Sequence, residues 1–161
     1  MKIQQLSLFA ENKPGTIVAP CRLLAREGID IRALSLADTQ RFGILRMIVS
    51  DCAKANRLLQ DNGYLVKVTE VLAVEVPDRP GGLAEILAIF EGTSINIEYM
   101  YAFPFGNGDK AILIFRFGDP DAAIERLQAS GINVLESGAV LKKYPVDCWA
   151  LGAMDGRRAR E

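Results

Sequence analysis

The sequence predicts an α+β protein of two similar units in tandem, each a four-stranded antiparallel sheet with two helices on one face. Three observations indicate this class. A Pro-Gly pair occurs twice, at 14–15 and 80–81, and each pair follows an apolar run and precedes apolar residues at helical spacing. Two β-rich runs joined by a turn segment follow in each half and indicate a hairpin. The chain has 161 residues, 50% of them hydrophobic, so it is long and apolar enough for two small packed units.

The first unit is predicted to span residues 1–70. Strands are predicted at 2–10, 29–37, 42–49 and 65–69. One helix is predicted after Pro14-Gly15, between the first two strands, and another after the helix-capping Asp51, between the last two. Pro20 falls inside the first predicted helix, where proline removes a backbone donor and clashes with the preceding turn. This helix is therefore expected either to begin late, near Val18, or to be irregular at that point.

The second unit, residues 71–143, repeats this order of elements. Ile29-Asp30-Ile31 recurs as Ile95-Asn96-Ile97 at an offset of 66, and Asn62-Gly63 recurs as Ser130-Gly131 at an offset of 68. Strands are predicted at 71–77, 95–103, 111–117 and 134–140, and helices after Pro80-Gly81 and after the helix-capping Asp119. The order βαββαβ within roughly 65 residues is the ferredoxin-like arrangement.

The junction between the two units is very short. Almost no linker separates Thr69 from Leu72, so the units are expected to pack against each other as a rigid pseudo-dimer. Each sheet is covered by helices on one face only and has open edges, which predicts self-association as a homodimer. Residues 144–161 form a C-terminal tail, whose apolar patch around Trp149 is expected to pack on the body or on a partner chain.

Composition excludes several classes of function. The chain has no histidine, which excludes Ser-His-Asp and Cys-His catalysis and histidine-ligated zinc. Without a metal-ligand cluster, a Gly-rich phosphate loop or a nucleophile beside an evident base, we expect no enzyme, no metal and no cofactor. A net charge of −1 opposes binding to nucleic acid or to an anionic membrane. Three widely spaced cysteines, no export segment and no apolar run of about 18 residues predict a cytoplasmic protein.

The repeated turns are the best candidates for a binding site. Each places a short polar side chain, a basic residue, proline and glycine where a strand passes into a helix. Exposed N–H groups at such a position carry partial positive charge and attract anions, so a free carboxylate fits there. The alternative is that Asn12 and Asp78 only cap the helices that follow.

A second polar residue recurs at the start of the strand after each helix. Asp30 and Asn96 are flanked by isoleucines, although short polar side chains are disfavoured in strands. Their oxygens are suited to accept hydrogen bonds from an ammonium group, and together with the loops they would form a receptor for an α-amino acid. The alternative is that both residues merely terminate the preceding loop.

Four aromatic residues and one arginine stand out on the predicted strands. Tyr99, Tyr101, Phe103 and Phe105 alternate along the second hairpin, which favours packing between the units over stacking with a ligand. Arg46 interrupts an apolar run. If it is buried it requires a carboxylate or an interface, and otherwise it lies in solvent at an edge.

The pattern strand, Asn/Asp-x-Pro-Gly, helix, Ile-Asp/Asn-Ile resembles the ACT domain, a small ferredoxin-like module that binds amino acids and regulates metabolic enzymes. The resemblance covers both halves, and the stretches ENKPGTIVAPCRLLAREGIDIRALSLA, RFGILRMIVSD and INIEYMYAF look like bacterial stand-alone proteins of two ACT domains without a catalytic domain. It implies ligand-binding residues in the two loops and the two following strands, namely Asn12, Lys13, Pro14, Gly15, Thr16, Asp30, Ile31, Asp78, Arg79, Pro80, Gly81, Gly82, Asn96 and Ile97. The effector of such domains typically lies between two ACT units, contacted by the loop of one and the strand of its neighbour.

The two implied sites are not equivalent. Asp78 would repel a ligand carboxylate placed close to it, whereas Asn12 carries no charge. Thr16 also offers a hydroxyl where the second half has Gly82. The site that uses the first loop is therefore favoured.

The resemblance implies a regulatory protein that senses a free amino acid, either by changing its oligomeric state or by docking on a metabolic enzyme. One alternative is a regulatory subunit of a biosynthetic enzyme such as acetolactate synthase, although those small subunits resemble a single ACT unit with a different second domain. A more distant alternative is an RNA-binding module of the same element order. The third strands, 43–49 and 111–117, lack the basic and aromatic pattern of such modules.

Overall fold

The structure is a computed structural model that describes residues 1–38, 42–107 and 109–141. The predicted tail at 144–161 lies outside the described residues, as does the side chain of Phe105. The elements are, in chain order, β1 Lys2–Glu11, α1 Val18–Arg26, β2 Ile31–Asp38, β3 Phe42–Val49, α2 Cys52–Asp61, β4 Leu65–Pro77, α3 Gly82–Ala88, β5 Ile97–Asn107, β6 Lys110–Phe117, α4 Pro120–Ala129 and α5 Ser137–Leu141. No helix among these residues has the length and apolar character needed to cross a membrane.

The six strands within the described part of the chain form one antiparallel sheet in the order β2-β3-β1-β4-β6-β5. The strands predicted separately at 65–69 and 71–77 are a single strand, β4, which belongs to both units. Its first part, from Leu65 to Leu72, pairs with β1, and its second part, from Leu72 to Pro77, pairs with β6. The missing linker is thus explained, because one strand passes directly from one unit into the other.

The strand predicted at 134–140 is wrong. An isolated antiparallel bridge joins Val134 to Val74, and the short helix α5 follows at once. The carbonyl of Glu136 accepts hydrogen bonds from the N–H groups of Ala139 (3.0 Å) and Val140 (3.3 Å), which closes a helical turn instead of a ladder. Gly138 in this segment weakens a strand, and the local turn therefore prevails over the apolar alternation.

The helix ends follow the local sequence signals. The Asp51 carboxylate accepts a hydrogen bond from the N–H of Lys54 (2.9 Å), and the Asp119 carboxylate caps α4, as predicted. Helix α1 begins at Val18, the late start that Pro20 allows. Pro20 is the third residue of the helix, where its missing N–H would have no intrahelical partner.

Among the residues that the structure describes, three clusters of buried apolar side chains hold the fold together. Each unit buries a core between its sheet and its helices, one centred on Leu6, Leu45 and Leu59 and the other on Leu72, Phe115 and Leu127. A third core lies on the opposite sheet face, which we call the inter-unit face, and it draws residues from both units, among them Ile3, Ala33, Ile48, Ala73, Ile112 and Ile114. The outermost strands β2 and β5 lie against each other, so the sheet folds over and the two units pack face to face.

Candidate functional site

The two Pro-Gly loops have the same backbone structure. In the first, the N–H of Lys13 donates to the carbonyl of Glu11 (2.9 Å) and the N–H of Thr16 donates to that of Lys13 (3.3 Å). The corresponding bonds in the second loop join Arg79 to Pro77 (3.0 Å) and Gly82 to Arg79 (2.9 Å), at the same offset of 66. Gly15 and Gly81 have φ angles of 84° and 88°, a left-handed conformation that favours glycine. The repeated sequence therefore specifies a repeated turn.

Neither Asn12 nor Asp78 caps a helix. The residue before α1 is Ile17 and the residue before α3 is Gly81, and neither helix has a side-chain cap. The capping alternative is therefore wrong, because the turn inserts several residues between the short polar side chain and the helix. Asn12 and Asp78 are exposed. Within the described residues, the N–H groups of Gly15 and Gly81 donate to no backbone carbonyl, so they remain available to an anion.

The two loops differ in their side chains and in their space. The hydroxyl of Thr16 donates to the carbonyl of Lys13 (2.8 Å), and Lys13 forms an ion pair with Glu11. At the equivalent position of the second loop, a Cβ on Gly82 would lie 2.0 Å from the carbonyl oxygen of Pro77. The second loop is therefore closed by direct backbone packing, whereas the first accommodates a side chain at this position.

Asp30 and Asn96 also occupy equivalent positions. The carbonyl of Asp30 accepts the N–H of Ser50 (2.9 Å), and the carbonyl of Asn96 accepts the N–H of Gly118 (3.0 Å). The carboxylate of Asp30 is 3.2 Å from the guanidinium of Arg32, which holds it at the start of β2. Both polar side chains are exposed, so their positions leave them accessible to a ligand.

The isoleucines that follow these polar residues belong to the apolar cores. Ile31 packs against the core under the helices of the first unit, and Ile97 packs against the corresponding core of the second. Both are half-buried. The side chains of Ile31 and Ile97 therefore contribute mainly to packing.

Within each unit, the Pro-Gly loop lies far from the polar residue, Asp30 or Asn96, that precedes the following strand. Along β3, Phe42 lies opposite Glu11 at the first loop, whereas Val49 lies opposite Ile31. Seven residues of extended strand separate the two points, a distance of about 23 Å. The second unit has the same separation along β6, since Lys110 lies opposite Pro77 and Phe117 lies opposite Ile97. A small ligand cannot bridge the loop and the polar residue of the same unit.

A groove beside the first loop was not predicted from the sequence. It has a volume of about 570 Å³ and lies between Gly15, the exposed face of α1, and the residues Asn62 and Tyr64 that precede β4. Arg22 and Arg26 line it, four residues apart on α1, and neither forms an ion pair with any described residue. Their spacing is visible in the sequence but is equally typical of a solvated helix face.

The two arginines of the groove have no counterpart in the second unit. At the offset of 66, Ala88 stands where the first unit has Arg22, and Gly92 stands where it has Arg26. Two unpaired guanidinium groups beside a turn with a free N–H favour a carboxylate. No group of three or more potential metal ligands occurs in the residues that the structure describes.

Taken together, the duplicated ferredoxin-like units and their matched Pro-Gly loops define a class of small regulatory domains. The chain belongs to the ACT domain pair family, whose sequence profile matches residues 1–142. The resemblance drawn from the sequence is thereby confirmed, as is the α+β fold class. No functionally curated protein matches the sequence.

Solved structures agree with this assignment. Protein BT0572 from Bacteroides thetaiotaomicron is 38% identical, with a TM-score of 0.82 over 89% of this chain and 98% of that one. The regulatory subunit of aspartate kinase from Thermus thermophilus, in its ligand-free form, is 16% identical, with a TM-score of 0.57 over 79% of this chain and 91% of that one. The corresponding subunit from Thermus flavus is 17% identical, with a TM-score of 0.56 over 80% and 92%. The two Thermus structures share the fold with this chain.

Proposed function

We propose that the protein is a non-catalytic sensor of a free amino acid, whose carboxylate binds at the first loop. The observation that carries this proposal is the groove of about 570 Å³ beside Gly15, lined by the unpaired Arg22 and Arg26. A carboxylate there would accept hydrogen bonds from a guanidinium and from the loop N–H, which are charge-assisted and strong. The second unit lacks both arginines, which supports one preferred site for each chain.

The ammonium end of the ligand requires a second copy of the chain. Asp30 offers an exposed carboxylate, but it lies about 23 Å from the first loop of its own unit by strand rise. The loop of one copy and Asp30 of another would together contact both ends of an amino acid. Strand β2 supports such an association through its side chains, because Leu34 and Leu36 are 56% and 54% exposed and offer apolar surface to a second copy. The proposed state is therefore a homodimer.

The first test is a thermal-shift screen against the twenty amino acids. A ligand at about 100 times its dissociation constant stabilises the folded state by about 2.7 kcal/mol, which raises Tm by several degrees. One amino acid or a small set is expected to produce this rise, and Asn12→Ala, Asp30→Ala and Arg22→Gln are each expected to reduce it. Arg57→Gln is the matched control, because Arg57 is exposed on α2, away from the groove. No rise with any amino acid would contradict the sensor proposal.

The dimer is tested separately by sedimentation with and without the ligand found in the screen. Leu34→Glu, which places a charge on the exposed apolar surface of β2, is expected to yield a monomer that has lost ligand affinity, since Asp30 of the second copy is then absent. A monomeric wild-type protein that binds its ligand fully would contradict the shared site. We place the sensor in the cytoplasm, where it would act on a metabolic enzyme. The unpaired thiols of Cys21 and Cys52, whose pKa values are raised by burial, are compatible with a reducing compartment.

A further inference from the structure

A row of polar side chains crosses the first unit on the inter-unit face. Strand register places Ser35 opposite Arg46, Arg46 opposite Ser7, and Ser7 opposite Lys67, on β2, β3, β1 and β4. All four side chains point to the face opposite the helices, because they alternate with Leu36, Leu45, Leu8 and Val66 along their strands. We call Ser35, Arg46, Ser7 and Lys67 the cationic row.

In the second unit, the positions equivalent to the cationic row belong to an apolar core. The residues equivalent to the cationic row are, in the same order, Tyr101, Ile114, Ala73 and Leu135. They too lie side by side, with Tyr101 and Ala73 both opposite Ile114 and the N–H of Leu135 donating to the carbonyl of Ala73 (2.8 Å). All four belong to or pack against the inter-unit core. The duplicated position is therefore apolar and packed in one unit but carries two positive charges in the other.

Neither charge of the cationic row is neutralised by a described residue. Arg46 and Lys67 form no ion pair with the residues that the structure describes. The guanidinium carbon of Arg46 lies 4.0 Å from the ring centroid of Tyr99, a cation–π contact that fixes its position without supplying a negative charge. Arg46 is half-buried and Ser7 is only 6% exposed, so a counter-ion at this place would be partly shielded from water.

An apolar row lies directly beside the cationic row. Phe9 is opposite both Ile44 and Leu65, one step further along the strands on the same face. Phe9 is 36% exposed and Leu65 is 69% exposed, so this end of the inter-unit face is open to solvent. The face therefore presents fixed cations and hydroxyl groups next to accessible apolar surface.

We propose that this part of the inter-unit face is a second binding site, for a small organic carboxylate with an apolar body. The carboxylate would contact Arg46, Ser7 and Lys67, and the apolar body would cover Phe9 and Leu65. The site is separate from the first loop and its groove, and it requires no ammonium group on the ligand. The proposal of this second site goes beyond amino acid sensing at the first loop, and either proposal can be wrong while the other holds.

The test uses 3-phenylpropanoate as the probe and NMR of the arginine side-chain Nε–H groups as the readout, with affinity measured by calorimetry. Binding is expected to shift the Arg46 signal, and Arg46→Gln is expected to weaken affinity by about tenfold or more. Arg46→Ile, which copies the second unit, should abolish binding while keeping the fold. The exposed Arg57→Gln, on α2, is the matched control and should leave affinity unchanged.

Three outcomes would overturn the second site. The first is the absence of any shift at Arg46 at millimolar probe. The second is a shift confined to the groove arginines, Arg22 and Arg26, which would assign the probe to the first loop. The third is equal affinity for 3-phenylpropanoate and for the uncharged 3-phenylpropanamide, because the cationic row would then contribute nothing. None of these outcomes would contradict the amino acid screen, whose variants lie at the first loop, at Arg22 in its groove and at Asp30.

Discussion

Gln5 is the polar centre of the contact between the two units, and its replacement by leucine tests how much that contact contributes to stability. The side chain is fully buried. Its amide donates to the hydroxyl groups of Tyr99 (2.9 Å) and Ser7 (3.1 Å) and accepts from the hydroxyl of Tyr101 (2.9 Å). Burial raises the pKa of Tyr101, so this phenol is protonated and donates at every pH of interest. Gln5→Leu keeps a comparable volume and removes all three hydrogen bonds.

The magnitude follows from the three bonds that are lost. Each contributes about 1 kcal/mol net, and a buried hydroxyl left without a partner costs about 1–3 kcal/mol. Leucine recovers part of this loss by burying apolar surface. The free energy of unfolding is therefore expected to fall by about 3 kcal/mol, which we would measure by urea denaturation followed by circular dichroism.

The neighbouring Gln4 supplies the matched control for Gln5→Leu. Gln4 lies on the same strand but is exposed, so Gln4→Leu is expected to change stability by less than about 0.5 kcal/mol. A double-mutant cycle with Tyr101→Phe should return a coupling energy of about 0.5–3 kcal/mol between the two side chains. Equal stability of the Gln4→Leu and Gln5→Leu variants would refute the importance of this polar contact.

Two further predictions concern the second unit. Gly82→Ala places a Cβ 2.0 Å from the backbone carbonyl oxygen that closes the second loop, so urea denaturation should show a loss of about 1–3 kcal/mol, whereas Gly138→Ala, with open space around it, should be tolerated. Glu75 has a lowered pKa because Asn133 and then Lys110 donate hydrogen bonds to it. The ionised Glu75 side chain therefore adds its whole contribution to the free energy of unfolding above the unfolded-state pKa of about 4.3. This contribution is lost as the pH falls through the lower folded-state pKa. Stability curves of wild type and Glu75→Gln should thus converge towards acidic pH, and parallel curves would contradict this.

Local signals in the sequence predicted the elements whose chemistry is local. Asp51 and Asp119 act on N–H groups within three residues, and Pro20 restricts the backbone of its own turn. The Pro-Gly repeat likewise specifies the turn, because the left-handed glycine and the short hydrogen bonds lie within six residues. These features depend on residues that lie close together in the sequence.

Long-range pairing determined the features that the sequence did not predict. Thr69 and Glu70 resemble a boundary between two strands, yet β4 continues through them because β1 and β6 pair with its two halves. The segment after Val134 has apolar residues at strand spacing, but Val140 is buried in the inter-unit core from a helical turn. In both places, the partner strand or core decides the local structure.

The candidate site was only partly visible in the sequence for the same reason. The loops were identified because they recur, whereas Arg22 and Arg26 occupy positions that have no charged counterpart in the second unit. Residues that occur in one half alone, such as these two arginines, are therefore not indicated by the repeat. The separation of Asp30 from its own loop follows from strand register, which no motif contains.

The differences between the units indicate how the duplication has been used. The shared features are the backbone ones: the loop hydrogen bonds, the left-handed glycines and the carbonyl contacts at Asp30 and Asn96. Some positions that differ are charged in the first unit and small or apolar in the second, as with Arg22 and Ala88 or Arg46 and Ile114. Others differ in the opposite sense, as with Asn12 and Asp78. At the position of Arg46, the second unit has Ile114, which adds to the apolar core between the units. At this position the second unit therefore packs an apolar side chain into the core, whereas the first unit carries a cation that forms no ion pair with a described residue.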